Sequence, residues 1–386
     1  MNSSIKFAII GAGIGGLTLA IAMQRKGFDV TVYENAPEIK PLGAGLGLAA
    51  NAMKAFYEIG IGDQILRAGK KLKSLEIRSQ KGRILSSANS EKMAKNLGVT
   101  NNFAIHRADL HEVLLQHVKS GTVQLGKGCI DLVQNESGVA IKFGDGTSAF
   151  TDYMIACDGI NSKVRKKLLP ECKLRYAGYT CWRAVIDSLP DNVDLETVSE
   201  TWGKDGRFGI VPLINNRIYW FACINAPQHD LAKKAYTVND LQNHFKEYHS
   251  SVQQLLSLTK DSQLIWSDII DLAPLKRFAF DNVLLLGDAA HATTPNMGQG
   301  ACMAIEDAII LSNMLDRGGE VLSIFKQFES RRIGRTTKIV EDSWTLGKVA
   351  QVENSLLIGL RNTVLRLTPP GVAEKQMKSI ADISFT

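Results

Sequence analysis

The chain has 386 residues, 45% of them hydrophobic and 22% charged, with a net charge of +6. That length exceeds one small core and suggests two closely packed domains of an ordinary globular protein. The cations are dispersed, and the densest group, Lys163, Arg165, Lys166 and Lys167, reads as a solvated face, so no nucleic-acid partner is expected.

No stretch reaches the roughly 18 to 20 apolar residues of a membrane span. The apolar run at residues 5–10 is short and passes straight into glycines, so no signal peptide is expected. The cysteines are Cys129, Cys157, Cys172, Cys181, Cys223 and Cys302, with no C-x-x-C among them. They indicate neither a metal site nor a dithiol motif, and they read as free thiols of a reducing, cytoplasmic compartment.

In chain order, residues 5–10 predict a buried parallel strand. Residues 17–26 predict a helix closed by Gly27, and residues 30–34 the next strand, a βαβ unit of about 30 residues. Between strand and helix stands Gly11-Ala12-Gly13-Ile14-Gly15-Gly16. Gly11 suits a tight turn, Gly13 the close approach of a pyrophosphate, and Gly16 the packing of helix on strand. The helix N-terminus then turns its unpaired N–H groups to the phosphates. Glu34 follows Gly16 by 18 residues and is placed to accept hydrogen bonds from a ribose.

His106-Arg107-Ala108-Asp109-Leu110 reads as a helix start. The Arg107 fork suits two phosphate oxygens, the alternative being a salt bridge to Asp109 or Glu112. Residues 154–157 predict a buried strand that enters the turn Asp158-Gly159, with Asn161 or Ser162 capping the next helix. A turn and cap alone is the other reading of Asp158. From residue 174 to 272 the chain is β-rich (179–186, 207–212, 217–224), with a helix at 238–249.

The dinucleotide pattern resumes with a strand at 283–286. It leads into Gly287-Asp288-Ala289-Ala290-His291 and Pro295-Asn296-Met297-Gly298-Gln299-Gly300. Asp288 ends a buried strand, where a carboxylate without a partner is costly. A helical tail begins at Gln299, breaks near Gly318-Gly319, and ends its last helix at Pro369-Pro370. Glu329, Arg332 and Arg335 are spaced for ion pairing along one helix.

Taken together, these motifs resemble the group A FAD-dependent aromatic hydroxylases, the para-hydroxybenzoate hydroxylase superfamily. Four motifs stand in that family's order from Gly11 to about Lys338, although Cys157 occupies a position where alanine is commoner. The resemblance implies an α/β fold: a Rossmann-like FAD-binding domain (residues 1–173 and 273–386), an inserted, mostly antiparallel β-sheet substrate domain (174–272) and a C-terminal helical tail.

It further implies that Gly11, Gly13, Gly16 and Glu34 hold the adenosine end of FAD. Arg107 would reach the ribityl and pyrophosphate region, Asp158 would support FAD and a transient nicotinamide, and Asp288 would bind a ribityl hydroxyl. Pro295 would lie beside the flavin ring. Gly298, Gln299 and Gly300 would open a helix whose N–H groups stabilise the negative charge of reduced flavin. His291 matches a structural position. NADH or NADPH would act as co-substrate without a second glycine fingerprint of its own. O2 would add at flavin C4a, and the resulting hydroperoxide would hydroxylate or epoxidise a small aromatic or conjugated compound.

Candidate pocket residues are Trp182, Arg183, Arg207, Tyr219 and Trp220. Residues 207–219 resemble the FAD-dependent urate hydroxylases, a branch near zeaxanthin epoxidase. There an arginine and a tyrosine contact substrate, and they map onto Arg207 and Tyr219; the alternative is that both are sheet-surface residues. Urate is one candidate substrate. Two rival readings remain: a non-oxygenating reductase or oxidase on this fold, and a flavin-bound regulatory protein without turnover. A halogenase is disfavoured, because no Trp-x-Trp-x-Ile-Pro occurs. No added thioredoxin-like domain is expected, and the chain is read as a monomer or homodimer.

Overall fold

In the computed structural model, which describes residues 5–40, 43–190 and 192–386, the first apolar run forms the strand Lys6–Ile10 inside a six-stranded sheet. It pairs in parallel with Asp29–Tyr33 and Tyr153–Ala156, and the latter pairs in parallel with Val283–Leu285. The edges are Val123–Gln124 and the antiparallel Ala279–Phe280. The helix Ile14–Arg25 and a three-stranded antiparallel sheet (Cys129–Asn135, Gly138–Phe143, Ser148–Thr151) both pack on this sheet, so the central strands are apolar throughout rather than alternating; Ile9, Ile155 and Leu284 are fully buried. The first helix spans Ile14–Arg25 and so begins three residues before the apolar pattern suggests. Gly16 packs on the strand end, where a Cβ would meet the Gly11 carbonyl oxygen, and Gly15 faces Ala304 of another helix.

A seven-stranded sheet forms the second layer. Its order is Ile265–Leu272, Leu174–Ile186, Ile218–Asn225, Gly206–Pro212, Thr197–Gly203, Ser74–Ser79, Ile84–Asn89. Its last two strands come from before residue 174, and Thr197–Gly203 pairs with Ser74–Ser79 in parallel while the other neighbours are antiparallel. Side chains alternate across a sheet, so the register divides them cleanly. Trp182, Ala184, Phe208, Ile210, Trp220 and Ala222 lie on one face, in a core shared with Leu241, Phe245, Val252 and Leu255. Trp182 and Trp220 are therefore core residues on the covered face, not pocket residues. The helix expected over 238–249 is two, Val238–His244 and Ser250–Ser257. The first opens on a capping box between Thr237 and Asp240.

The tail runs as Gly300–Asp316 and Val321–Ala350, separated at Gly318 and Gly319, which both adopt positive φ. Ser355–Leu367 follows, and then a further helix, Pro370–Ala381. Pro369-Pro370 thus follows the end of Ser355–Leu367, as expected, and also starts a further helix, because a proline in the first turn forfeits no helical hydrogen bond. Arg165 also departs from the solvated face expected of it. It is 2% exposed and donates to the backbone carbonyls of Ile160 and Ala289. Among the described residues no helix is long and apolar enough to cross a membrane.

Candidate active site

The glycine loop is shaped by close contacts at two positions and by open space at a third. Gly11 has φ +102°, and a Cβ there would lie 2.5 Å from the Cys157 carbonyl oxygen. At Gly16 a Cβ would lie 2.0 Å from the Gly11 oxygen. Gly13, the helix N-cap, has nothing within 4 Å of the same position. The first turn has neither a side-chain cap nor an acidic residue, so its N–H groups and dipole face outward. Glu34 accepts from the Ala12 N–H at 2.8 Å and from the Ala36 N–H at 2.8 Å, which ties the second strand to the loop.

Three more predicted residues gather beside this loop. Arg107 is exposed at the start of Arg107–His117, its methylenes lying against Gly43. Among the described residues it forms no ion pair, because Asp109 is taken by Arg217. Its charge acts on Asp288, as do those of His291 and Arg165. Asp288 is surrounded by protein atoms, and this burial raises its pKa, yet its side chain is exposed along one open side. Its carboxylate accepts no hydrogen bond from a described residue. Asp158 caps the helix Lys163–Leu168, Oδ2 accepting from the Lys163 N–H at 2.9 Å. Its Oδ1 is buried without a partner, and burial raises its pKa as well.

Behind Asp288 lies a closed charge network. His291 Nε2 is 2.6 Å from Asp307 Oδ2, and Arg332 Nε donates to Asp307 Oδ1 at 2.6 Å. Arg332 also donates to Glu306 at 2.8 Å, and Arg335 pairs with Glu306 too. Burial works against ionised Asp307, but His291 and Arg332 outweigh it and bring its pKa down to about 2. Arg332 and Arg335 thus pair with the neighbouring helix rather than along their own, and Glu329 instead accepts from the N–H groups of Phe278 and Ala279. Asn51 joins this network to the flavin motif, donating to Glu306 at 2.5 Å and to Gln299 at 2.9 Å. Gln299 itself caps the helix Gly300–Asp316, whose first turn has no side-chain cap. Gly298 has positive φ and, like Gly13, nothing near its Cβ position, whereas Pro295 opens a single 3-10 turn through Met297.

The face of the seven-stranded sheet opposite the Trp182 and Trp220 core spans the gap between these elements. At one end the Tyr219 ring lies where a Cβ on Gly45 would be, 2.5 Å away. At the other end Arg207 donates to Asn296 at 2.8 Å, to Glu200 at 3.0 Å and to Gln351 at 3.0 Å, and stacks on Tyr179. Arg207 is 2% exposed, enclosed by protein partners. Beside it Cys181 and Cys223 oppose each other across neighbouring strands. Burial raises the Cys181 thiol, whereas its contact with the Cys223 thiol and the guanidiniums of Arg183 and Arg207 lower it. Burial pushes the Tyr219 phenol up, so it remains a proton donor near neutrality.

Asn296, Asn51 and Gln351 belong to the site without having been singled out. Asn296 sits inside the quoted Pro295–Gly298 motif, so its neighbours were the signal. Gln351 comes from the far end of the tail, and nothing local marks it. Among the described residues there is no cluster of His, Cys, Asp or Glu that could hold a metal.

The donor set fits FAD: an open glycine at a helix N-terminus, an unpaired cation, and a carboxylate lacking a partner. The FAD binding domain family matches residues 4–343. The chain is 34% identical to the aurachin C monooxygenase/isomerase of Stigmatella aurantiaca over 95% of both chains. It is 32% identical to a 2-heptyl-3-hydroxy-4(1H)-quinolone synthase of Pseudomonas aeruginosa over 94% of both. The structure of Klebsiella pneumoniae HpxO with FAD and uric acid superposes with a TM-score of 0.89 at 27% identity, covering 98% of this chain and 96% of that one. The chain belongs to the FAD-binding-domain family of FAD-dependent aromatic monooxygenases.

Proposed function

We propose that this monooxygenase uses NADH or NADPH and O2 to hydroxylate or epoxidise a small aromatic or conjugated ring held between the flavin motif and the sheet face opposite the tryptophan core. The observation that carries this reading is the face itself, which touches Gly45 through Tyr219 and Asn296 through Arg207. It therefore spans from Gly45 to the Pro295–Gly300 segment, which on this reading lies beside the flavin ring. Relatives named for quinolone and uric acid chemistry support a ring bearing oxygen substituents.

Gly11, Gly13 and Gly16 would seat the pyrophosphate, and Glu34 the ribose, through the lone pairs its two backbone contacts leave free. Arg107 would pair with phosphate oxygens, and Asp288 would accept from a ribityl hydroxyl, each gaining the partner it otherwise lacks. Asp158 would act through its buried Oδ1. Pro295 would fix the wall beside the ring. Gly298, Gln299 and Gly300 would present N–H groups where negative charge grows on reduction. FAD supplies the chemistry of reduction by the nicotinamide and of oxygen transfer. Phe221 and Tyr219 would exclude water above the ring, and the protonated phenol would donate to a substrate oxygen.

The test is oxidation of NADH and NADPH by the purified yellow protein across phenols, salicylates, purines, quinolones and polyenes, with peroxide measured alongside. Stimulation with little peroxide is expected for the correct substrate class. Oxidation that no compound stimulates, or a substrate converted without O2, would overturn the reading in favour of a reductase or a regulatory flavoprotein.

A further inference from the structure

The face of the seven-stranded sheet opposite the Trp182 and Trp220 core is built in rows set by strand register. Cys181, Cys223 and Arg207 form one row, Arg183, Phe221, Gly209 and Glu200 the next, and Val185, Tyr219 and Val211 the third. The first row is closed: Cys181 and Cys223 are 1% exposed and Arg207 is 2% exposed. In the third row Tyr219 and Val211 are buried, and Val185 is half-buried. The middle row is the accessible one, with Arg183, Phe221 and Glu200 all half-buried. Gly209 makes this possible, because the Phe221 ring lies across it, 2.0 Å from where a Cβ would be.

Charge on this face does not cancel. Arg207 is offset by Glu200 at 3.0 Å. Arg183 donates to the Ser267 hydroxyl at 2.7 Å and lies against the Tyr219 phenol, both neutral groups. Among the described residues no carboxylate pairs with it. The thiol of Cys181 faces it from the closed row and offsets it only when ionised. A half-buried guanidinium without a counter-charge is costly, and an anion brought by a ligand relieves that cost.

Building on the proposed function, we infer that Arg183, rather than Arg207, is the specificity residue that binds an anionic oxygen on the substrate ring, while Arg207 positions Asn296. Phe221 offers the ring an apolar face beside that cation, and the remaining guanidinium N–H groups of Arg183 are free to form a charge-assisted pair. The substrate class is thus an aromatic acid, phenolate or enolate. Its neutral analogues bind less well.

The experiment titrates FAD-loaded protein with 1-naphthoate and with its neutral isostere 1-naphthamide, following the flavin absorbance. A protein that holds no FAD defeats the proposed function itself and is recognised before any titration. In the unaltered protein the acid should bind about tenfold or more tightly than the amide, the range of one charge-assisted hydrogen bond. Arg183→Gln should abolish the preference, Arg183→Lys should retain part of it, and Arg207→Gln should leave it in place. Equal affinity for the two compounds in the unaltered protein, or no binding of either, overturns the inference. So does a preference that survives in Arg183→Gln or disappears in Arg207→Gln.

Discussion

Behind Asp288 the buried charges of Glu306, Asp307 and Arg332, with half-buried Arg335, all find oppositely charged partners within the protein, whereas the sheet face opposite gives Arg183 only the neutral Ser267 hydroxyl. The first arrangement is a scaffold. Each member lies within 3 Å of a partner in it, and it holds Gln299 through Asn51. The second is a receptor surface, with polar groups oriented but not satisfied. On the proposed reading the difference separates what fixes the cofactor-binding segment from what chooses the substrate, and the two regions should respond differently to substitution.

The largest effect is expected where the closed network is opened. Arg332→Met leaves two buried carboxylates short of a partner and should cost about 3–5 kcal/mol of stability, read as a lowered midpoint in denaturant. A midpoint unchanged by this substitution would mean that the network is not the scaffold described. Asp288→Ala removes a partner from the cofactor rather than from the protein. It should weaken FAD binding by about ten- to a hundredfold, the range of a hydrogen bond to a charged group, with little change in folding. Full flavin content after purification would exclude Asp288 from the cofactor site.

The network should also set the acid limit of stability. Asp307 titrates at about 2 in the folded protein, against an ordinary value of 3.8. Because the folded value is depressed, its contribution is complete above pH ~4 and is lost as pH falls through about 2, amounting to about 2 kcal/mol. Unfolding free energies measured from pH 5 down to 2 should show this slope, and Asp307→Asn should flatten it. An equal slope in the variant would place the titration elsewhere. The smallest effect on folding is expected at Gly13, whose Cβ position is open. Gly13→Ala should change stability by about 0.5 kcal/mol or less and yet impair FAD binding, whereas Gly16→Ala, 2.0 Å from the Gly11 oxygen, should destabilise the fold itself.

The contrast also explains what could be read in the sequence. The glycine loop, Glu34 and the Gly287–Gly300 segment are local motifs, with their roles fixed by neighbours a few residues away. Two domains were expected from length, and the β-rich stretch from 174 to 272 marked the second of them. The sheet face was harder, because its rows join residues from strands far apart in the chain. Trp182 and Trp220 are adjacent to the proposed pocket positions Arg183 and Tyr219, but the period of two along a strand turns them to the core. Arg207 and Arg183 looked alike in sequence. Only register and the position of Glu200 distinguish the arginine that is offset from the one that is not. Ser74–Ser79 and Ile84–Asn89 were missed because this hairpin joins the sheet only through the long-range parallel pairing of Ser74–Ser79 with Thr197–Gly203, which no local pattern records.

The account's central claim is oxygen transfer to a ring bound beneath the sheet face. Turnover under isotopically labelled dioxygen, with mass analysis of the product, tests it most directly. One labelled oxygen atom in the product is the predicted result. Label confined to water or peroxide, or a product formed without oxygen uptake, would contradict it.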